Sequence, residues 1–434
     1  MAVQTLEGTP GSGQGINAYA TLLTRPSYLA GATLLAYTLH KYSPTTPLII
    51  LYTPETLPEP SVKALRSEAK HSNVIVYPVE HLRLPVAKDG AEAKEGMVAE
   101  RFIDTWTKLR VFEVLDVDVG DEEKRKVDRL CFLDADMMIF SNPTPLIFNS
   151  TNDTYLRGGE SEPDAQPKRL CATHTCVCNL DADSWAPSSW TPQNCAYTHL
   201  HGPDDLAEVK QEPETMGNFN SGAFLFNPSP SMRDYVLSKF NDTPPADLRA
   251  MKFPDQDFLN MAFDAQWQSL SWRCNALKTW RYWHPRIWVD SAVAVLHYIV
   301  DKPWAARVTT SPSGQRVAGY KGDDGVTHSW WWDGYEEWHE LRGDQGETEL
   351  LEMVEKYVAS DGNGQSEEMR AIGGGAQQYA KKWEGRKDGD RDGEQDAGKS
   401  VEQGTHGPVI RKKMLGERGH GPVIRPQGRS FMEP

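Results

Sequence analysis

Two aspartates that follow a predicted buried strand are the residues whose types and spacing best suit chemistry. Asp134 and Asp136 come directly after the apolar residues 130–133. We therefore expect them at the carboxyl end of a strand, where open α/β sheets bind their ligands. Two carboxylates one residue apart can share a divalent cation that also grips a diphosphate. An aspartate-rich turn that caps the next element is the alternative, and the position after a buried strand favours the cation site.

A histidine and a lysine near a later apolar run are candidates to complete that site. His297 ends the run, and Lys302 lies five residues further on. Imidazole beside carboxylates suits Mn²⁺, whereas an all-oxygen ligand set suits Mg²⁺. Lys302 can place a point charge on a departing diphosphate. Taken singly, a histidine at a strand end is usually a core or surface residue and a lysine is usually solvated, so this interpretation requires the fold to bring both to the aspartates.

The elements that must position these residues follow from apolar runs that alternate with amphipathic stretches. The order strand, helix, strand, helix, strand is typical of a doubly wound sheet with mostly parallel strands, and the sequence therefore predicts an α/β fold. The predicted strands are 16–24, 48–53, 73–79, 129–140 (broken at its end by the two carboxylates), 219–229 and 292–299, and the predicted helices are 28–43, 59–71, 104–116, 231–240, 255–265 and 328–358.

Composition divides the chain into segments. We predict a flexible leader (1–15), an α/β domain (16–310) with a cysteine-containing insert (150–217), a helical appendage (311–383) and a disordered tail (384–434). The tail has few apolar side chains, so it cannot offset the entropy that it would lose on ordering. It repeats the hexapeptide HGPVIR, whose role the sequence leaves open.

The charge balance and the apolar pattern exclude several classes of partner. There are 61 acidic and 46 basic residues, for a formal net charge of −15. A general nucleic-acid binder needs a basic face, so we expect no nucleic-acid partner. We expect no membrane span, because no run of about 18 apolar residues is present. The N-terminus lacks a basic start and an apolar stretch, and six cysteines are too few for a disulfide scaffold, so we expect a cytoplasmic protein.

Cysteines and histidines crowd the predicted insert. A zinc site, a disulfide and free thiols are the three interpretations of this crowding. The spacing C-x4-C-x-C is not a standard pattern for paired zinc ligands, so free thiols are our expectation, while metal binding stays open. The residues concerned are Cys171, Cys176, Cys178, Cys195, His174, His199 and His201.

Six motifs, in order along residues 18–340, resemble glycosyltransferase family 8, the group of retaining enzymes that includes glycogenin and galactinol synthase. They are T-L-L-T-x-x-x-Y (21–28), T-K-L (107–109), F-L-D-A-D (132–136), F-N-S-G (219–222), D-Q-D-F-L-N (255–260) and H…K-P-W (297–304). The resemblance implies a GT-A fold, which is a Rossmann-like nucleotide-diphospho-sugar transferase fold with a mostly parallel central sheet. It also implies transfer of a hexose from a UDP-sugar with Mn²⁺ as cofactor.

The resemblance also implies a role for each matching residue. Asp255, Gln256 and Lys302 would be catalytic, with Asp255 or Gln256 on the reacting face of the sugar. The other implied contacts are Leu22, Thr24 and Tyr28 for uridine, Ala135 for the ribose, Lys108 for sugar or phosphate, Asn220 and Ser221 for the donor sugar, and Asp134, Asp136 and His297 for Mn²⁺.

Two positions depart from the family pattern. Arg25 stands where glycogenin has an asparagine that contacts uracil, and Val300 stands where a glycine usually lies between the histidine and K-P-W. A glycine there lets the backbone approach the diphosphate closely. With Val300 at this position, that close approach of the backbone to the diphosphate is either lost or made by a neighbouring residue.

The subgroup resembles galactinol synthase more than glycogenin, on the evidence of the His284-Pro285 pair and a W-W-D-x-Y match at 331–335. A self-glucosylating primer protein like glycogenin is one alternative, and Tyr282 lies where its acceptor tyrosine would be sought. We expect a buried packing role for Tyr282 instead. A catalytically inactive nucleotide-sugar-binding protein is the other alternative. The acceptor (a small polyol, a sugar or a protein) and the choice of UDP-glucose or UDP-galactose stay open, and a second copy of the chain, in a homodimer, is a further candidate partner.

Overall fold

A computed structural model describes residues 15–84, 100–118, 124–158, 167–183, 186–319 and 321–360. The predicted disordered tail and almost all of the predicted leader lie outside these residues, so the predicted segment limits stay predictions. Within the described part, no helix is both long enough and apolar enough to cross a membrane.

A large mixed sheet forms the centre of the fold, in the order β3-β2-β1-β5-β8-β7-β9, with β4 paired to β5. Its strands are β1 (Ile16–Leu23), β2 (Leu48–Tyr52), β3 (Val74–Pro78), β4 (Asp116–Val117), β5 (Arg125–Leu133), β7 (Leu170–His174), β8 (Phe219–Phe226) and β9 (Trp267–Ser269). A small sheet in the order β10-β11-β6 consists of β6 (Met137–Ile139), β10 (Ala276–Leu277) and β11 (Val295–His297). A hairpin joins β12 (Thr309–Thr310) and β13 (Arg316–Val317).

Helices cover both faces of the large sheet, because its strands are apolar on both sides. In β1, Ala18 and Ala20 face one core while Tyr19 and Leu23 face the other. Every residue of β2 is buried, as expected for a central parallel strand. The helices are α1 (Leu29–Tyr42), α2 (Glu59–Glu68), α3 (Thr144–Ile147), α4 (Ser150–Arg157), α5 (Pro230–Asp242), α6 (Pro245–Ala250), α7 (Pro254–Ala262), α8 (Trp280–Trp283), α9 (Gly325–Asp344) and α10 (Thr348–Glu355), and the helix Glu100–Glu113 is of the 3-10 type.

The sheet is mostly parallel, which confirms the predicted fold class. Strands β3, β2, β1 and β5 run parallel, whereas β8 runs antiparallel to both β5 and β7. The beginning of β8 therefore lies at the edge of the sheet where β1, β5 and β7 end. This arrangement brings the F-N-S-G and F-L-D-A-D motifs to the same edge.

The strand predicted at 129–140 is broken at the two aspartates, as the sequence indicates: β5 ends at Leu133, and the chain then leaves the large sheet. The backbone N–H of Asp134 still donates to Gly222 O at 2.9 Å, but the N–H of Met137 turns back to Asp134 O at 3.1 Å. Strand β6 then pairs with β11 in the small sheet. The two aspartates thus occupy the bend between two sheets.

A buried ion pair joins α9 to the body of the protein. The guanidinium of Arg342 donates to both carboxylate oxygens of Glu68, at 2.6 and 2.8 Å. Trp338 and Ser72 donate two further hydrogen bonds to the same carboxylate. The side chains of the pair are 2% and 1% exposed. In the same helix, Trp331 and Trp338 are buried against the body.

We expect Glu68→Ala to lower the free energy of unfolding by about 3–5 kcal/mol, because it leaves a buried guanidinium without its partner. Urea denaturation measures this change. Glu349→Ala is the control, since it removes a carboxylate from an ion pair with Lys63 whose side chains are 68% and 79% exposed, and we expect it to leave stability nearly unchanged. Equal effects of the two substitutions would contradict the importance of the buried pair.

Candidate active site

The register of the small sheet brings together the three residues predicted as metal ligands, here called the ligand triad: Asp134, Asp136 and His297. Met137, which follows Asp136, pairs directly with His297 across β6 and β11. His297 Nε2 lies 3.2 Å from Asp136 Oδ1 and 3.9 Å from Asp134 Oδ2. One ligand atom from each residue lies within 4.8 Å of the others. A strand pairing therefore assembles a set of donors that lie 163 residues apart in the chain (297 minus 134).

A buried asparagine sets the orientation of the histidine ring. Asn275 Oδ1 lies 2.9 Å from His297 Nδ1, and the amide nitrogen of Asn275 donates to Thr173 Oγ1 at 2.8 Å and Asn220 Oδ1 at 2.9 Å. Because that nitrogen is committed as a donor, the oxygen must accept from Nδ1–H. Nδ1 therefore carries a proton, and in the neutral form of the ring the lone pair is on Nε2, which faces the two carboxylates. Two carboxylates and a neutral imidazole fit Mn²⁺.

A glycine makes room for this ring. A Cβ atom added to Gly222 would lie 2.5 Å from His297 Cε1 and 2.8 Å from Asn220 Oδ1. No larger side chain fits unless the histidine moves. The glycine of the F-N-S-G motif thus belongs to the same arrangement as the H…K-P-W motif.

Lys108 is the cation that holds two carboxylates of the site together. Its Nζ lies 2.9 Å from Asp134 Oδ1 and 2.5 Å from Asp255 Oδ2. Ser221 Oγ donates to the same oxygen of Asp255 at 2.8 Å. Burial disfavours the charge of Lys108, but the two carboxylates more than offset this and raise its pKa. The lysine is therefore held in its charged form.

Lys302 balances the remaining carboxylate. Its ammonium pairs with Asp136 and donates to Tyr298 O at 2.8 Å. Although burial acts against it, the proximity of Lys302 and His297 lowers the pKa of Asp136. Burial, and after it the nearby carboxylate of Asp136, raises the pKa of Asp134 despite Lys108. The two aspartates of the D-A-D motif thus occupy different electrostatic environments.

Helix α7 locks the beginning of strand β8 through its D-Q-D-F-L-N sequence. Gln256 Oε1 accepts from Asn220 Nδ2 at 3.1 Å and from the backbone N–H of Ser221 at 3.3 Å. Asn260 pairs with the backbone of Phe219, accepting from its N–H and donating to its O, both at 2.8 Å. The D-Q-D-F-L-N and F-N-S-G motifs, which are separate in the sequence, therefore form one hydrogen-bonded unit.

The predicted uridine residues lie at the end of strand β1 and beside Lys302. Leu22 and Thr24 stand at the carboxyl end of β1 and are half-buried. The ring of Tyr28 contacts Trp304 edge-on at 5.7 Å, and Lys302 Nζ lies 5.7 Å from the centre of the Tyr28 ring. Tyr28 therefore connects the end of β1 to the lysine that pairs with Asp136.

The D-A-D bend packs directly on helix α1. A Cβ atom on Gly31 of α1 would collide with the carbonyl oxygen of Ala135 and with the ring of Trp304. Ala135 is itself 8% exposed. The backbone of Ala135, which the resemblance assigns to the ribose, is thus fixed by close helix packing.

The two departures from the family pattern have structural counterparts. Arg25 forms an ion pair with Asp104. Val300 adopts φ = +63°, in the left-handed region that β-branched residues rarely occupy. The backbone thus keeps the conformation that a glycine would provide, at the cost of strain in a valine.

Sequence reasoning missed one residue of this site and misjudged another. Asn275 belongs to no motif and has no local pattern, so only the folded structure reveals it. The expectation of a buried Tyr282 is wrong, because this residue is 38% exposed. It lies on the short helix α8, whose neighbouring Trp280 takes the buried position.

Comparison with known proteins identifies a family and several relatives in sequence. The sequence model of glycosyl transferase family 8 matches residues 22–307. Galactinol synthase 7 of Arabidopsis thaliana is 27% identical over 293 residues, which are 66% of this chain and 74% of that protein. Galactinol synthase 1 of Solanum lycopersicum is 27% identical over 291 residues, with 66% and 73% covered. The structure of the galactosyltransferase LgtC with donor and acceptor sugar analogs covers 72% of this chain and 94% of its own, at 16% identity and a TM-score of 0.43.

The resemblance implies that the ligand triad binds Mn²⁺, and on that basis we expect Asn275→Ala to weaken Mn²⁺ binding by about 10–100-fold, because the imidazole loses the acceptor that holds its orientation. Isothermal titration calorimetry measures the dissociation constant. Asn275→Asp keeps an acceptor for Nδ1–H, so it should retain more of the affinity than the alanine variant. Unchanged binding in a folded Asn275→Ala protein would argue against this role.

We expect Val300→Gly to raise the free energy of unfolding by about 1 kcal/mol, because glycine adopts positive φ without steric cost. Val289→Gly is the matched control: Val289 has φ = −132°, and the same substitution there should destabilise by about 0.5–1 kcal/mol. Urea denaturation of both variants measures the difference. Destabilisation at both positions would contradict the strain at Val300.

Proposed function

Because the chain belongs to glycosyl transferase family 8, as the match across residues 22–307 shows, we propose that it transfers a hexose from a UDP-sugar to an acceptor, with retention at the anomeric carbon. Membership makes the chain a glycosyltransferase with the GT-A fold. The nucleotide, the cation and the stereochemistry are the parts that we propose. The observation that supports them most is the meeting of the ligand triad with two buried lysines.

The proposed cation is Mn²⁺, held by the ligand triad. When bound, it would act as a Lewis acid on the diphosphate and stabilise the charge of the leaving group. The protein's own contribution is to orient the His297 ring through Asn275, so that the neutral ring presents Nε2 to the cation, and to keep Asp136 charged through Lys302. Donors that are already fixed in place need little reorganisation when charge develops in the transition state, and they therefore stabilise that charge effectively.

Lys302 has the position required of a group that binds phosphate. In the structure Lys302 pairs with Asp136. With the substrate bound, Asp136 would bind the cation and Lys302 would pair with the diphosphate instead. We assign Lys302 to the departing diphosphate, beside Tyr28 in the uridine pocket. Lys108 would face the sugar or a phosphate while it stays paired with Asp134 and Asp255.

Asp255 and Gln256 are the residues that we assign to the donor sugar. The Oε1 atom of Gln256 is committed to strand β8, so its amide nitrogen is the group left to donate to the sugar. Asp255 is held in place by Lys108 and Ser221. The acceptor's proton would pass to the leaving phosphate, so this scheme needs no separate general base.

The similarity to galactinol synthases supports a galactinol synthase-like subgroup and a small polyol or sugar as the acceptor. At 27% identity we leave the acceptor and the hexose to experiment. A panel of UDP-hexoses against polyols, sugars and protein acceptors, followed by mass spectrometry of the products, identifies both.

We expect transfer to stop after brief chelation with EDTA and to return when Mn²⁺ is added. Asp136→Asn should lower kcat by at least about a hundredfold, because it removes the negative charge that would bind the cation and that pairs with Lys302. The control is Asp204→Asn, at a carboxylate that is 87% exposed, and it should leave kcat unchanged. Activity that survives both chelation and Asp136→Asn would remove the cation from the proposal.

Self-glucosylation is the alternative that one observation favours, namely the exposure of Tyr282. Intact-mass measurement after incubation with UDP-glucose separates the two functions, since a primer protein gains hexose units and Tyr282→Phe would abolish that gain. Binding of UDP without turnover of any donor would instead indicate an inactive nucleotide-sugar-binding protein.

A further inference from the structure

A second group of side chains that could hold a metal ion shares no residue with the ligand triad. We call it the Cys₃His cluster, and its members are Cys176, Cys178, Cys195 and His284. Their exposed fractions are 8%, 3%, 0% and 5%. All six cysteines of the chain are unbridged.

The membership of this cluster corrects the residue set that the sequence suggested. Cys171 lies within strand β7 and faces the core. His174 bonds Ser269 and the backbone of Glu208, and His199 bonds the backbone of Gln193. His284 takes the fourth position instead, 89 residues beyond Cys195.

The distances within the cluster match the edges of a zinc tetrahedron. His284 Nε2 lies 3.3 Å from Cys176 Sγ, 3.5 Å from Cys178 Sγ and 3.8 Å from Cys195 Sγ. The Sγ atoms of Cys176 and Cys195 are 3.9 Å apart. With Zn–S of about 2.3 Å and Zn–N of about 2.0–2.1 Å, the edges of a regular tetrahedron are about 3.6 Å for S–N and about 3.8 Å for S–S.

We propose that the Cys₃His cluster holds a structural zinc ion. Three thiols and one imidazole that share one small volume are a ligand set that closed, four-coordinate zinc sites use. A disulfide would join only two of the sulfurs and would not explain why the third thiol and the imidazole lie next to them. A soft thiolate set also selects zinc over Mn²⁺ and Mg²⁺, which prefer oxygen ligands.

The surroundings of the cluster hold the imidazole in place and leave a route for the ion. The rings of Tyr197 and Trp280 both lie 5.8 Å from that of His284, and Cys178 Sγ lies 3.7 Å from Thr198 Oγ1. A cleft of about 200 Å³ borders Cys178 and His284. The ion can therefore enter from one side after the chain has folded.

The zinc would tie an irregular segment to the body. Residues 175–218, between β7 and β8, contain only three short 3-10 helices among those described. The cluster binds three cysteines of this segment to the residue that ends helix α8. In the same segment, Trp190 stacks on Phe253 at 6.2 Å with the rings 6° from parallel. Phe253 is the residue immediately before α7. The segment that the zinc would hold therefore contacts the start of the helix that carries Asp255.

Metal analysis of the purified full-length protein tests the proposal without using its activity. We expect inductively coupled plasma mass spectrometry to find about one zinc ion per chain after expression with zinc. Replacement with Co²⁺ should give the thiolate charge-transfer band and the d–d bands of a tetrahedral site. Both measurements use the wild-type protein, so they decide the question even if variants fail to fold.

Variants then identify the ligands. Cys178→Ser and His284→Ala should lose the zinc and increase hydrogen exchange in residues 175–218, whereas His284→Cys should keep zinc as a four-cysteine site. Cys171→Ser is the matched control, because it changes a buried cysteine of the same region outside the cluster and should keep the zinc. Zinc-free wild-type protein, a cobalt spectrum without thiolate bands, or a disulfide between Cys176 and Cys195 would each overturn the proposal.

Discussion

Three carboxylates at one edge of the sheet, two buried (Asp136 and Asp255) and one half-buried (Asp134), require compensating charge, and the arrangement of the site depends on how the protein supplies it. An unpaired buried charge costs several kcal/mol, so each carboxylate needs a partner. Lys108 serves Asp134 and Asp255, and Lys302 serves Asp136. Two lysines leave the three carboxylates with one excess negative charge when His297 is neutral. A divalent cation reverses that excess to a positive charge, which then favours a diphosphate.

This charge pairing explains why the motifs are dispersed along the chain. Lys108 comes from the 3-10 helix Glu100–Glu113, and Lys302 from the loop after β11. That loop is itself braced, since Lys278 Nζ binds Asp301 O at 3.2 Å and Asp324 Oδ2 at 2.5 Å. Asp324 precedes α9, so a residue beyond the predicted limit of the α/β domain helps to hold a lysine of the site. The strained Val300 persists within this braced segment.

The sequence predicted the features that rest on local pattern. The continuous apolar run of β2 and the apolar end of β5 mark central strands by themselves, and the D-A-D motif lies at a strand end because the run before it is apolar. Features that rest on pairing between distant segments were missed or wrong. Examples are the antiparallel direction of β8, the pairing of β6 with β11 in a second sheet, and the contact of Asn275 with His297. No local periodicity encodes which distant strand a segment will meet.

The cysteines illustrate the same limit, because closeness in sequence is a poor guide to shared coordination. Cys171 faces the core from within a strand, while a histidine 89 residues past Cys195 completes the cluster. Strand β7 serves both metal sites: Thr173 supports Asn275 behind His297, and Cys176 follows two residues after the strand ends. Hard oxygen and imidazole donors on one side and soft sulfurs on the other let each proposed site select its own ion. A shared strand can therefore position both sites while their ligand chemistry keeps them distinct.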